Sequence, residues 1–302
     1  MLIVIALGGN AFVRRGRPLD QEEHLYNIDK AAELVAKLVS DGHKIVVTHG
    51  NGPQVGLLDE LQLKGGRRYF RLDALVAATQ GLLGYFIANA IDKALGTYGR
   101  AVAVVTRVSV DPEDPSFKNP SKFIGPSYAK RDADLMAQKY GFIMREEVGR
   151  GWRRVVPSPE PMGVMEVEAV KRLLESGFVV IAAGGGGVPT HSHFGVEAVV
   201  DKDLASQVLA NSLGADAFII LTDVDGVYLD YGTERQRKLE RVSADELLKY
   251  YYEGRFEEGS MGPKVLAAAR FVKNGGAWAA IGALDEGYYV FKRERGTIVE
   301  RA

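Results

Sequence analysis

The chain has 302 residues and a formal net charge of −1, with 38 lysines and arginines against 39 aspartates and glutamates. Hydrophobic residues make up 46% and charged residues 25%, which predicts a globular protein with one large α/β domain or two lobes. The balanced charge gives no support to nucleic-acid binding, and the lack of cysteine excludes disulfides, thiolate metal sites and cysteine nucleophiles.

Apolar periodicity predicts strands and helices that alternate along most of the chain. In chain order the predicted elements are a strand over Leu2–Leu7, a helix over Glu22–Ser40, a strand over Lys44–Thr48, helices over Gln54–Leu63 and within Asp73–Leu95, a strand over Ala101–Val105, a helix over Glu166–Glu175, a strand over Phe178–Ala183, a helix over Asp201–Leu213, a strand over Ala217–Leu221, a helix over Pro263–Lys273 and a strand over Ala277–Ile281. This alternation predicts an open, mainly parallel, twisted sheet sandwiched by helices.

One stretch interrupts the alternation. Seven of the eleven prolines lie between Asp111 and Met162, on either side of a short predicted helix over Lys130–Tyr140. We interpret residues 111–162 as an inserted subdomain, a flap over the cleft.

The N-terminal strand does not predict a targeting segment, because Leu2–Leu7 is short, has no basic segment before it and runs into Gly8. No uninterrupted apolar run approaches the roughly 18 residues of a membrane helix. We therefore expect a cytoplasmic protein with no membrane partner, although the lack of cysteine is equally compatible with export.

Glycine-rich turns follow two predicted strands, at Gly8-Gly9-Asn10 and at Gly50-Asn51-Gly52. In an open α/β sheet both turns lie at the carboxyl ends of their strands, where ligands bind. Each could be only a tight strand-to-helix turn, but two of them together favour a site for anions. Further glycine turns, Gly184 to Gly187 and Gly259 to Gly262, suggest more than one anionic group, as phosphoryl transfer requires.

Two lysines, Lys202 and Lys264, fall in the first turns of predicted helices. A cation there opposes the helix dipole by about 0.3–1 kcal/mol. Both could be solvated surface lysines, but a bound polyanion would reverse the sign of the local field. Asp201 is a good N-cap, which is sufficient to explain it. Asp203 could hold Mg²⁺ through water.

Other candidate segments are less specific. Thr222 and Asp223 would project from the end of a buried strand, where a nucleotide could meet them. The basic run from Gly149 to Arg154 fits either an arm that contacts anions or a solvated loop. We interpret His191-Ser-His193 as a loop feature rather than a metal site. The chain lacks a P-loop, a G-x-G-x-x-G fingerprint and the protein-kinase H-R-D and D-F-G elements.

These residues closely resemble those of the carbamate kinases, a branch of the amino acid kinase family. The resemblance spans nearly the whole chain and rests on Ile5–Ala11, Thr48–Gly56, Gln80–Tyr85, Asp114–Lys122, Gly149–Pro159, Ala183–Pro189, Glu197–Ala205, Leu221–Gly226 and Gly259–Val265. Its Asn119-Pro-Ser-Lys122 and Gly151-Trp-Arg-Arg154 segments belong to an insertion that other amino acid kinases lack.

The resemblance implies reversible, Mg²⁺-dependent phosphoryl transfer between ATP and carbamate, giving ADP and carbamoyl phosphate, in line and without a covalent enzyme intermediate. It implies a single domain over residues 1–302 with an acceptor lobe (1–110 and 163–200), the flap (111–162) and a nucleotide lobe (201–302), and a homodimer. The implied catalytic residues are Lys122, Lys202 and Lys264. The implied substrate-binding residues are Gly8, Gly9, Asn10, Gly50, Asn51, Gly52, Gly185, Gly186 and Arg154. The implied nucleotide-binding residues are Asp203, Thr222, Asp223, Tyr231, Met261, Gly262 and Lys264, with Mg²⁺ carried mainly by the nucleotide phosphates.

Two alternatives stay open at this stage. One is a kinase of the same family that phosphorylates another small carboxylate, and the other is a catalytically silent nucleotide-binding regulatory protein with the same fold. Phe123 stands where the resemblance predicts proline, and the segment from Pro189 to Gly195 is shorter than expected, so that the flap geometry is left open.

Overall fold

The computed structural model describes residues 1–8, 20–147, 149–257 and 259–301. The strands in this part of the chain are β1 (Leu2–Leu7), β2 (Lys44–His49), β3 (Ala101–Ala103), β4 (Arg107–Val110), β5 (Lys122–Tyr128), β6 (Ile143–Glu147), β7 (Gly151–Val156), β8 (Pro161–Val164), β9 (Val179–Ile181), β10 (Val188–His191), β11 (Phe194–Gly195), β12 (Ala217–Thr222), β13 (Val227–Leu229), β14 (Arg237–Leu239), β15 (Arg241–Ser243), β16 (Trp278–Ala283) and β17 (Thr297–Glu300). The helices are α1 (Gln21–Ser40), α2 (Gly52–Lys64), α3 (Leu72–Leu95), α4 (Pro115–Lys118), α5 (Lys130–Tyr140), α6 (Val167–Glu175), α7 (Lys202–Leu213), α8 (Ala244–Tyr252), α9 (Met261–Lys273) and α10 (Gly287–Phe291).

An eight-stranded sheet forms the centre of the fold, in the order β15-β17-β16-β12-β1-β2-β9-β3. The six consecutive strands β16-β12-β1-β2-β9-β3 each pair in parallel with their neighbours, and β17 pairs with β16 in the antiparallel direction. The central strands β1 and β12 read as continuous apolar runs because helices cover both of their faces. The predicted open, mainly parallel sheet between helices is confirmed.

Side chains of the central strands alternate between two apolar cores. Val4 of β1 and Phe218 of β12 face a core that also contains Phe271 of α9. Ile3, the residue before Val4 in β1, points to the opposite face and packs in a second core that contains Ile28 of α1. Because successive strand residues point to opposite faces, each central strand contributes to both cores and is held between two helical layers.

The flap, residues 111–162, contains a separate three-stranded sheet in the order β5-β7-β6, with α5 beside it. Its strand β5 lies against α2 so closely that a Cβ on Gly56 would approach the Cα of Gly125 to 3.0 Å. Phe123 lies within β5, so the position where proline was expected is part of a paired strand. The division of the chain into acceptor lobe, flap and nucleotide lobe stays a prediction.

Several elements were not predicted. The strands β4, β8, β10 and β11 form a second sheet, and β13 pairs with β14 in a hairpin. Helices α2 and α9 begin two residues earlier than predicted, at Gly52 and Met261. His191 is the last residue of β10 and pairs with Phe194, whereas His193 lies in the turn between β10 and β11, as expected for a loop feature.

Helix α3 is long and apolar enough to cross a membrane by length and composition, although no uninterrupted run had suggested it. More than half of its most apolar window is buried inside the fold (56%), and it packs against α1 and β3. We therefore assign α3 to the core of the fold rather than to a membrane span.

Candidate active site

A cavity of about 650 Å³ opens at the carboxyl edge of the central sheet. Gly8 follows β1, Gly50 follows β2, and Thr222 ends β12; all three line this cavity. Because these strands are parallel, their carboxyl ends meet at one edge. The start of α7, the loop before α9 and the flap strand β5 complete the wall.

Three lysines from three different elements converge on this cavity. The Lys122 Nζ atom of β5 lies 2.8 Å from Asp201 Oδ2. The Lys202 Nζ atom lies 2.5 Å from Asp203 Oδ1, and the Lys264 Nζ atom lies 3.3 Å from Asp203 Oδ2. The three lysine side chains are 29%, 12% and 16% exposed, respectively. The two aspartates thus hold three largely enclosed cations together at the end of the sheet.

Asp201 has two functions at the start of α7. Its Oδ1 atom accepts from the backbone N–H groups of Asp203 (2.9 Å) and Leu204 (3.4 Å), which confirms the predicted N-cap. Its Oδ2 atom accepts the hydrogen bond from Lys122. The cap residue is therefore also the contact that connects the flap lysine to the helix bearing Lys202.

The electrostatics of the cluster follow from burial and pairing. Attraction by Asp201 raises the pKa of Lys122 in spite of its burial. Burial acts to raise the pKa of Asp201, but Lys122, Lys264 and the hydrogen bond from the Asp203 N–H together hold that pKa below its usual range. Burial lowers the pKa of Lys202, and the neighbouring Asp203 only partly opposes this. Lys202 is therefore an incompletely compensated cation that an anionic ligand would stabilise.

Glycine is required at two crowded positions beside the cavity. Gly185 and Gly186 have φ values of 64° and 87°. A Cβ on Gly185 would overlap the Asn51 amide, whose Nδ2 donates to Thr79 Oγ1 at 2.8 Å. The N–H groups of Gly8 and Gly50 donate to the carbonyls of neighbouring strands. The N–H groups of these two glycines are therefore already paired within the sheet.

His49 lies directly behind the glycine turn from Gly184 to Gly187. It is fully enclosed, and a Cβ on Gly184 would meet its imidazole. Burial lowers the pKa of His49 to about 4, so that the ring is neutral near pH 7. It adds no positive charge to the cluster of lysines.

Comparison with known proteins agrees with this geometry. Residues 1–282 match the model of the amino acid kinase family. The chain is 46% identical to a carbamate kinase of Pyrococcus horikoshii, with 98% of each chain covered, and 44% identical to carbamate kinase 2 of Enterococcus faecalis, with 99% of each covered. The chain is a carbamate kinase family member. The solved structure of carbamate kinase from Giardia lamblia bound to AMP-PNP is 38% identical, covers 100% of this chain and 98% of its own, and superposes with a TM-score of 0.91.

Most of the residues that the carbamate kinase resemblance implied do meet in this cavity. Besides the three lysines, its described lining contains Gly8, Gly50, Asn51, Gly52, Gly185, Asp203 and Thr222. Gly9 and Asn10 lie outside the described residues. The lining also includes Arg150 and Arg153, from the basic run that the sequence left open between an anion-contacting arm and a solvated loop, and Ser260 of the glycine turn before α9. Glu60 of α2 lines the cavity as well, and no sequence pattern had indicated it.

A second set of implied residues does not line the cavity. Asp223 adjoins it, since Thr222 Oγ1 donates to Asp223 Oδ1 at 3.0 Å. Gly186 lies beneath the lining, against the Val200 carbonyl. Tyr231 is 70% exposed on the loop after β13, and Met261 and Gly262 form the first turn of α9. Their assignment to nucleotide or substrate stays a prediction.

Arg154 is also placed outside the cavity. Its guanidinium donates to Asp59 Oδ2 at 2.8 Å and to Glu197 Oε1 at 2.9 Å. The side chain is only 9% exposed. A residue that the carbamate kinase resemblance assigned to substrate is here paired with two carboxylates of the protein.

Proposed function

We propose that this enzyme transfers a phosphoryl group reversibly between ATP and carbamate, giving ADP and carbamoyl phosphate. The observation that carries the proposal is the convergence of Lys122, Lys202 and Lys264 on two aspartates at the carboxyl edge of the sheet. The curated relatives are carbamate kinases over nearly their full length. In this proposal, the glycine turns receive carbamate and the α7–α9 side receives the nucleotide.

The proposed reaction is a direct in-line transfer. A carboxylate oxygen of carbamate attacks the γ-phosphorus, the bond from that phosphorus to the bridging oxygen breaks, and ADP leaves with the electron pair. Carbamate is already anionic, so no general base is needed and no proton is moved in this step. The protein then contributes positioning and compensation of charge on the equatorial oxygens.

The lysine–aspartate cluster suits this task because it is assembled before substrate arrives. Asp201 and Asp203 hold the Nζ atoms in place, so that little reorganisation is needed when the transferring group develops charge. Burial leaves Lys202 the least compensated of these cations, and we assign it, with Lys122, to the phosphoryl group in transfer. Lys264, held by Asp203 and by the Ser260 carbonyl at 3.1 Å, is assigned to the nucleotide phosphates.

Mg²⁺ is the proposed cofactor. Asp201 and Asp203 supply carboxylate oxygens of the kind that Mg²⁺ accepts, but both are already engaged by lysines. The donor set therefore fits an ion held mainly by nucleotide phosphates, with Asp203 contacting it through water. When bound, Mg²⁺ neutralises negative charge on the nucleotide phosphates. Among the described residues no group of three or more acidic or histidine side chains could hold a metal by itself.

The decisive experiment is formation of ATP from ADP, Mg²⁺ and carbamoyl phosphate, with acetyl phosphate as the control donor. We expect rapid ATP formation from carbamoyl phosphate and little from acetyl phosphate. Binding of ADP without any turnover would contradict the acceptor assignment and favour another small carboxylate or a regulatory role. The homodimer and the cytoplasmic location also stay proposals, and light scattering in solution tests the first of them.

A further inference from the structure

Arg154 is a buried cation at the junction of the flap with the rest of the fold. Besides its hydrogen bonds to Asp59 and Glu197, its guanidinium carbon lies 3.7 Å from the centroid of the Phe142 ring. Burial lowers the pKa of Arg154, and the two carboxylates act against this. A charge buried to this degree is stable only with such complete pairing.

The two carboxylate partners of Arg154 lie in different elements of the body, the part of the fold outside the flap. Asp59 lies on α2, the helix that begins in the glycine turn of the acceptor side, and Glu197 lies in the segment that leads to α7. Both carboxylates are also held from other directions. Gln62 Nε2 donates to Asp59 Oδ1 at 2.9 Å, and Arg68 donates to Glu197. Arg154 thus joins flap strand β7 to two fixed anchors.

The register of the flap sheet connects Arg154 to Lys122. Within the β5–β7 pair, Lys122 lies opposite Val156 and Ile124 lies opposite Arg154. Directly opposed residues of an antiparallel pair share a face. The side chains of Lys122 and Arg154 are therefore on the same face of the flap sheet, separated by one residue pair.

This face is also the one that docks on the body. Ile124 and Val156 are buried in an apolar cluster with Val55 of α2 and Val199. The Val199 N–H donates to the Pro157 carbonyl at 3.0 Å, just beyond β7. Lys122 lies at the end of this docked face, with its Nζ on Asp201.

We propose that Arg154 is a positioning residue that sets the place of Lys122 through the β7–β5 pair, rather than a substrate ligand. The inference rests on the proposed function, in which Lys122 contacts the transferring phosphoryl group. Only arginine can satisfy both carboxylates with one planar guanidinium, because lysine is a single point charge.

The test compares Arg154→Met and Arg154→Lys with the control Arg145→Met. Arg145 lies on the adjacent strand β6, is exposed, and contacts Asn119 within the flap. For ATP formation we expect Arg154→Met to lower kcat by about 10- to 100-fold, the effect of a misplacement of roughly 1 Å, with KM for ADP near the wild-type value. Arg154→Lys should be intermediate, and Arg145→Met should match wild type.

A double-mutant cycle with Lys122→Ala separates positioning from other roles. If Arg154 acts through Lys122, Arg154→Met should cost little further activity in the Lys122→Ala background. Multiplicative losses would overturn the proposal. So would a raised KM for carbamoyl phosphate with unchanged kcat, because that result assigns Arg154 to the substrate.

Loss of stability is controlled with Asp59→Asn/Arg154→Met, which also removes the negative charge of one of the two carboxylates that Arg154 offsets in wild type. We expect this double variant to recover thermal stability but not kcat, whereas recovery of both would show a merely structural role. If wild type forms no ATP, the proposed function fails instead. The positioning claim is then decided by hydrogen exchange, which must be faster in β5 of Arg154→Met than in Arg145→Met; equal exchange would reject it.

Discussion

Asp201 is the residue at which the helix cap and the ion pair with Lys122 can be separated experimentally. Asparagine caps a helix about as well as aspartate, so Asp201→Asn keeps the cap and removes the charge beside Lys122. Asp201→Ala removes both. Comparing the two variants isolates each contribution at one position.

The magnitudes follow from the two sets of contacts. The cap accepts from Asp203 and Leu204 N–H groups and should be worth about 1 kcal/mol, the typical cost of replacing such a cap by alanine. For a chain of this size that corresponds to roughly 2 °C in the melting temperature between the two variants. Removing the charge of Asp201 should cost somewhat less than the roughly 3–5 kcal/mol lost when one partner of a fully buried pair is removed, because Lys122 is 29% exposed.

Asp201→Asn should affect substrate binding and turnover rate differently. Removing a negative charge from the cavity should leave KM for carbamoyl phosphate unchanged or lower it. Loss of the anchor of Lys122 should lower kcat, by about 10-fold or more. Calorimetry and initial rates of ATP formation measure both effects. A wild-type kcat in Asp201→Asn would refute the anchoring argument, and equal melting temperatures for the asparagine and alanine variants would refute the cap argument.

Three further predictions address other parts of the site. Lys202→Ala should lose about 2–4 kcal/mol of transition-state stabilisation, measured from kcat/KM; wild-type turnover would refute its role. Lys122→Ala should lower kcat more than it weakens ADP binding measured by titration calorimetry, and a large loss of ADP affinity with an unchanged rate would contradict this. His49 has a pKa of about 4 in the fold against 6.5 when unperturbed, so the fold binds fewer protons there than the unfolded chain. The stability that neutral His49 contributes is present above about pH 6.5 and is lost as the pH falls to about 4, by roughly 3 kcal/mol. In urea unfolding, His49→Gln should weaken this loss of stability in acid. An unchanged acid dependence would assign the loss to other groups.

Local sequence patterns predicted the central sheet and the helices that carry the site. The apolar runs of β1 and β12, the N-cap at Asp201 and the position of Lys202 in the first turn of α7 all follow from neighbouring residues. These features depend on backbone geometry and burial over a few residues, which a single sequence displays directly. The motifs that indicated the carbamate kinase family are of the same local kind.

The tertiary structure decided which of these residues meet. Lys122 and Asp201 are 79 positions apart, and Arg154 and Asp59 are 95 apart. The carbamate kinase resemblance implied that Arg154 binds substrate, whereas its guanidinium donates to Asp59 and Glu197, and it is Arg153 that lines the cavity. A strand alternates its side chains between two faces, and which face meets substrate depends on the elements packed against it. The sequence therefore indicates which chemical groups belong to the site. Which of them face the cavity and which hold other residues in place is decided only when the flap docks on α2.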